Sequence, residues 1–507
     1  MITRKARTIR VYLFTLALLL AGCATPNQMP IENDQVQVNP TSLPTQAPTP
    51  SPTAIAKSAA ITPEVVEPVT PTAQIEDECS QVGLGESALM AVWDRKQKQH
   101  TLTPVNPISG QTLCAYAPLP IGRNYFHTFS ADGSLLALVS YKREDGRDGV
   151  LQLIDLQNWQ AIPTSIKFAN WVNVMDFSQD GNTLAIASSG LPTGKHGLPD
   201  GYRLVVIDLV DQAIIAEKSL EFVPRLVRFT ADGTSLAVYG GSVTETDMVQ
   251  PDARVLLLDP VTLSTQWEKQ LKGLVDGQVW IDESYNPDSF TFWSPAVVFS
   301  PEKQTIYIVH ADADQLTTVD LAKRTASTIE IQPSTSWIER LLALTAGVAQ
   351  AKGLNGAVKS AVLSGDGSRL YVVGESGDVK KAANGEWQFN REVLGLKVID
   401  TASGMEIARR ETEATDLALS HDGRFLFLRG WSETAWTDVF DAESLELITH
   451  LAGRFLNSSQ LLNGQTVLLS NIQYGSGLTS LASLDPASFE EFKAWKVRDS
   501  AYWLVPP

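Results

Sequence analysis

Residues 175–188 read MDFSQDGNTLAIAS. Apolar residues alternate on both sides of Ser-Gln-Asp-Gly, the period of half-buried strands, and the central residues are turn formers. Ser opens the turn, Asp bonds nearby amides, and Gly takes the left-handed conformation that closes it. The stretch is therefore a β-hairpin, and the chain repeats it. HTFSADGSLLALVS starts at His127, VRFTADGTSLAVYG at Val227, VVFSPEKQTIYIVH at Val297, AVLSGDGSRLYVVG at Ala361 and LALSHDGRFLFLRG at Leu417. A weaker copy, SQLLNGQTVLLSN, starts at Ser459. The copy at Val297 has no glycine and places Lys303 where positive φ is expected.

A second phrase follows each first one: an apolar strand ending in Asp, a short turn and another strand. Its corners are Asp155, Asp208, Asp259, Asp320, Asp400, Asp441 and Asp485. Four strands per unit, recurring at intervals of about 40 to 70 residues, predict an all-β fold, a β-propeller of four-stranded blades. Seven units are complete. An eighth is split: ALMAVWD reads as a second strand, and TLTPVNPISGQTLCAYAPL carries a corner with Asn106-Pro107 where Asp259-Pro260 stand. The final SAYWLVPP supplies the missing strand. Eight blades closed by the two chain ends are expected, with seven as the alternative if the amino-terminal segment packs outside.

The copies FSADGSLLALVS and FSQDGNTLAIAS, each followed by LIDL or VIDL, resemble the repeats of WD40-like and YVTN-type propellers over roughly residues 80–507. That resemblance implies the fold; propellers of this kind serve as binding platforms, enzyme subunits and scaffolds alike. The Gly-His and Trp-Asp signatures of eukaryotic WD40 repeats are absent as a regular feature.

At the amino end, Arg4, Lys5, Arg7 and Arg10 precede the apolar run VYLFTLALLLAG and Cys23. A basic region before an apolar run too short to span a bilayer marks an export signal. The ending LAGC resembles the lipobox of bacterial lipoproteins, which implies a signal peptide over residues 1–22 and acylation of Cys23, palmitate included. Acyl chains would anchor the mature protein to the outer side of a membrane, at the cell surface or in the periplasm. Residues 24–77 are rich in Pro and Thr and nearly free of aromatics, a composition that stays disordered. The domain reading is thus signal peptide 1–22, lipidated Cys and linker 23–77, and propeller 78–507.

Cleavage would shift the formal net charge from −17 to −21, because the removed segment holds those four cations and no acid. So acidic a surface excludes nucleic acid as a partner. Once Cys23 is lipidated, Cys79 and Cys114 remain, and an even remainder in an exported chain points to a disulfide; two separate buried thiols are the alternative.

Motif chemistry is sparse. Most Asp residues fall at repeated turn positions, and the six histidines show no metal-ligand spacing. HADAD at 310–314 suggests calcium but lacks the glycine and distal Glu of an EF-hand loop. GLPTGKH at 190–196 is one residue short of a phosphate loop. No catalytic residues, metal or cofactor are assigned.

The remaining signal is length variation. In an antiparallel blade the link between strands two and three lies on the same side as the link to the next blade. Every long insertion falls on that side: 189–201, 241–252, 272–293, 333–358 and 375–392. The fourth has helical spacing from Trp337 to about Ala351. Together they gather Trp280, Tyr285, Phe290, Trp293, Trp337 and Trp387, with Asp282, Glu283 and Asp288 beside them. Function concentrates on such segments when a rigid scaffold holds them. The reading is an anchored binding or interaction platform for a protein, carbohydrate or small-molecule ligand, without catalysis of its own. An exported enzyme or enzyme subunit of the quinoprotein-dehydrogenase or lactonase kind is the alternative.

Overall fold

The computed structural model describes residues 79–84, 87–122, 124–141, 148–168, 171–190, 201–241, 252–280, 290–333, 356–381, 387–420, 422–431, 435–452, 455–462, 466–473, 478–498 and 501–504. The export segment, Cys23 and the linker lie outside them, as does the stretch from Trp337 to Ala351. Eight four-stranded blades form a ring. Blade 1 combines Ala88–Asp94, Gln99–Val105 and Leu119–Gly122 with Ala501–Leu504, which pairs antiparallel with Ala88–Asp94. Blades 2 to 8 follow in chain order over 124–162, 172–220, 223–275, 296–330, 356–410, 416–452 and 455–498.

The first-to-second strand turns obey the hairpin chemistry. In blade 3, Ser178 Oγ donates to Asp180 at 2.6 Å and accepts from Thr183 N at 2.9 Å, while Gly181 closes the turn at φ 72°. The same set recurs at Ser130/Asp132/Gly133, Thr230/Asp232/Gly233, Ser364/Asp366/Gly367 and Ser420/Asp422/Gly423. The copy at Val297 departs from expectation: Gln304, not Lys303, is left-handed (φ 46°). With neither Gly nor a short Asp to close the turn, the ladder runs one pair further, to Ser300 opposite Thr305, and Gln304 N donates to Pro301 O. Lys303 is freed to cross to blade 6, where Nζ donates to Gly367 O at 2.6 Å.

The Asp corners carry a less obvious device. Each carboxylate accepts backbone N–H groups two or three residues on, as Asp259 does from Val261 and Thr262. Asn106 substitutes for Asp by accepting from Ile108 and Ser109. The fourth residue after the acid is left-handed, and it is seldom glycine: Trp159, Leu263, Leu445 and Phe489 all have φ of 50–57°. A non-Gly residue there costs on the order of 1 kcal/mol. All four are at most 8% exposed, each seated in the apolar cluster against the preceding blade. Burying a large side chain contributes about 2–3 kcal/mol, which outweighs the strain.

Blade faces are apolar on both sides, so the core is distributed. Among the described residues, eight apolar clusters fill the eight successive blade interfaces, the last joining Leu468 and Leu481 of blade 8 to Ala88, Val105 and Trp503 of blade 1. Trp503 is 1% exposed and its Nε1 donates to Leu469 O at 3.2 Å. Polar clips reinforce the seams: Trp159 Nε1 to Ala117 O at 2.6 Å, Val172 N to the Tyr141 hydroxyl at 2.8 Å, and the Tyr371 hydroxyl to Ala442 O at 2.8 Å.

Cys79 and Cys114 form the expected disulfide, with Cα atoms 4.9 Å apart. It ties the start of the propeller to the link between the third and fourth strands of blade 1, where Ser80 also bonds Thr112 and Cys114 through the backbone. This link is the long one on the tight-turn side, an exception to the expectation that the side carries only tight turns.

Replacing the left-handed plug tests which effect dominates. Phe489→Gly relieves the backbone strain but empties the seam between blades 7 and 8, so it is expected to destabilise the protein by about 2–3 kcal/mol in urea unfolding. A more stable variant would show that strain, not burial, sets the corner.

Candidate functional site on the insertion face

Blade 6 extends beyond the ring on the insertion side. Its second strand, Arg369–Lys381, has 13 residues, about 43 Å at 3.3 Å per residue. The lower part pairs with Leu396–Asp400 and the upper part, from Glu375, with Trp387–Val393. Gly374 marks the junction, since a Cβ there would lie 2.4 Å from Val358 O.

A second hairpin joins this extension from a different part of the chain. Gly277–Trp280 and Phe290–Ser294, inserted between blades 4 and 5, form a ribbon whose second strand runs parallel to the top of Gly356–Leu363. The result is an upper sheet of five strands in the order 277–280, 290–294, 356–363, 369–381, 387–393. The insertions 272–293 and 375–392 are thus ribbons of one sheet rather than independent loops. Trp280, Phe290, Trp293 and Trp387 all belong to its strands, and Trp280 stands directly opposite Phe290. Following the register across the sheet, Trp280, Phe290, Phe292, Val379, Trp387 and Phe389 occupy positions of one face, and Trp293 a position of the other. Asp282, Glu283, Tyr285, Asp288 and Trp337 lie outside the described residues.

The roots of the sheet are ionic. Asp276, between Val275 and the ribbon, is fully buried and lies 2.5 Å from Arg225 Nε on the innermost strand of blade 4. Burial pushes its carboxyl up, and the Arg225 charge and the Tyr239 hydroxyl pull it back. The backbone there is packed so closely that a Cβ on Gly241 would sit 2.1 Å from Asp276 O.

The other root is the HADAD segment. Lys359, on the innermost strand of blade 6, is 9% exposed and its Nζ donates to His310 O at 2.5 Å and Ala313 O at 3.2 Å. Burial lowers the ammonium to about 8, while Asp314 and Asp312 favour its charge. Lys397 Nζ donates to Asp314 at 2.8 Å. The carbonyls and carboxylates that suggested calcium therefore surround a lysine ammonium supplied by the next blade. No group of three metal-ligating side chains occurs among the described residues. The His310 ring is 2% exposed, bonds Thr317 Oγ1 at 2.7 Å, and is lowered to about 4 by burial and then by Lys359.

Elsewhere, Trp171 packs on Tyr141 and Trp436 is buried between blades 6 and 7, so these two serve the seams. His127, on the innermost strand of blade 2, is exposed to solvent, yet surrounding protein desolvates it and lowers it to about 4. On the neighbouring blade, Asp176 accepts from Arg228 and from Phe229 N, both at 2.9 Å, joining the innermost strands of blades 3 and 4.

No known family model matches the chain, and no curated protein matches it. Many solved structures do. A dihydro-heme d1 dehydrogenase, NirN, in complex with DHE aligns at TM-score 0.51 and 14% identity over 85% of this chain and 78% of that one. BamB from Moraxella catarrhalis aligns at 0.42 and 12% over 74% and 88%, and the Cps50 (Swd1) propeller domain from Myceliophteria_thermophila at 0.37 and 14% over 75% and 99%. At these identities the likeness shows the β-propeller fold alone.

Two outcomes follow from the roots. Asp276→Ala leaves Arg225 without its buried counter-charge and is expected to cost about 3 kcal/mol in urea unfolding; an unchanged midpoint would remove the pair as an anchor of the ribbon. His310 is neutral when folded and protonates near 6.5 when unfolded, so the unfolded chain binds the extra proton between those values. Stability should therefore fall as pH drops from about 6.5 to 4, and His310→Gln should flatten that slope. An identical slope in the variant would refute the assignment.

Proposed function

We propose that this chain is exported, acylated on Cys23 and held outside a bacterial membrane by its Pro/Thr-rich linker, with the propeller as a binding platform. The basic region, short apolar run and LAGC support the anchor. The upper sheet carries the platform reading: strands from two distant stretches of the sequence converge on the insertion side and bring Trp280, Phe290, Trp293 and Trp387 into one sheet. Aromatic rings supply large contact area for a sugar ring or a protein at small entropic cost. Cys79, the first described residue, is tied by the disulfide to the link on the tight-turn side, opposite the insertion face. The ligand class is a protein, carbohydrate or small molecule, and phosphate-rich polymers are disfavoured by net charge. The dehydrogenase-like or lactonase-like alternative rests on fold resemblance alone.

Fractionation and site-directed photo-cross-linking test the two halves. Cys23→Ala should move the protein from the membrane to the soluble fraction without unfolding it; retention after high-salt washing would contradict anchoring. A photoreactive residue at Trp280, on the sheet face that also holds the positions of Phe290 and Trp387, should give adducts in intact cells that the same residue at Val261, 61% exposed on the tight-turn side, does not. Adducts at Val261 alone would place the platform on the wrong face.

A further inference from the structure

The upper sheet ends in a strand edge. Trp387–Val393 pairs with Glu375–Lys381 over seven consecutive residues without a bulge, and among the described residues no strand pairs with its outer side. Propeller blades bury their faces against one another, and edge strands in natural sheets are guarded by Pro, Lys, bulges or brevity. The stretch WQFNREV has no Pro, Lys or Gly and no register shift. An open edge of this kind is satisfied by another extended backbone.

We infer that the outer edge of Trp387–Val393 pairs antiparallel with the same strand of a second copy of this chain, forming a two-fold dimer through a continuous sheet. The sequence is self-complementary about Asn390. With Asn390 opposite its own copy, Phe389 falls opposite Arg391, Gln388 opposite Glu392 and Trp387 opposite Val393. No like charges meet, the single Arg and single Glu of each strand leave the edge neutral despite the acidic chain, and aromatic–cation and aromatic–β-branched pairs are among the stabilising cross-strand pairs. An isologous contact satisfies each Trp387–Val393 edge with its own copy, so this contact closes at two molecules. An aromatic–cation pair on each side of the axis also distinguishes this occupant from an arbitrary extended peptide, which would supply no matching residues.

The test uses the full chain in detergent. Sedimentation should resolve a monomer–dimer equilibrium. Directly opposed residues have Cβ atoms about 5 Å apart; Asn390→Cys with a short bifunctional thiol reagent should therefore give a covalent dimer that the parent chain does not. Phe389→Arg sets Arg against Arg391 twice per dimer and should weaken dimerisation at least about tenfold, whereas Phe389→Glu should preserve it. A parent that stays monomeric, Asn390→Cys cross-linking no better than the parent, or equal dimerisation of Phe389→Arg and Phe389→Glu would each overturn the inference.

Discussion

A blade of this protein has no polar face to give to water. Its inner strands are apolar on both sides, as Leu204 and Val206 facing one seam and Val205 and Ile207 facing the other show in a single strand. Such a sheet is stable only between two like it, so each blade needs neighbours on both sides and a ring leaves no blade without one. Four of the left-handed corner residues serve this need: Trp159, Leu263, Leu445 and Phe489 combine backbone strain with burial in the seam. The same requirement explains Trp503, which brings the last strand into the seam between blades 8 and 1.

The ring then decides where variation is tolerated. Turns on one side are held by Asp and Asn side chains at fixed spacing and have little room to lengthen. On the other side the chain passes from blade to blade, and blade 6 uses that freedom to raise a second sheet. Buried ions secure its base, Asp276 with Arg225 on one flank and Lys359 within the HADAD carbonyls on the other. Charges so buried are expensive unless paired and fix geometry when they are. They tie the base of the sheet to the ring, Asp276 to blade 4 and Lys359 to blade 5.

The ring was legible because its signals are local. Ser-x-Asp-Gly and Asp-x₃ turns bond within five residues, and even Asn106 could be read as a stand-in for Asp259. Asp94 makes the same corner, accepting from Lys96 and Gln97, but it joins the second and third strands of blade 1, where an insertion is the rule. In the copy at Val297 the left-handed position falls at Gln304, one residue past the one composition indicates, because the shift depends on ladder pairing. The upper sheet left almost no trace: Gly374 and Gly377 interrupt the alternation of Arg369–Lys381, and the parallel contact of Trp293 with Ala357 links segments about sixty residues apart with no turn between them. HADAD looked like a cation site because it is one in chemical terms, and only the fold could reveal that the cation is Lys359.

Amide hydrogen exchange resolved by blade tests the dependence on the ring most directly. If every blade needs both neighbours, the slowest amides of Ala88–Asp94 in blade 1 and Thr466–Gln473 in blade 8 open with the same free energy as those of Thr183–Ser189 in blade 3, while the upper parts of Arg369–Lys381 and Trp387–Val393 exchange faster without disturbing them. Blade 1 opening well below the others, with the remaining seven still protected, would contradict the account.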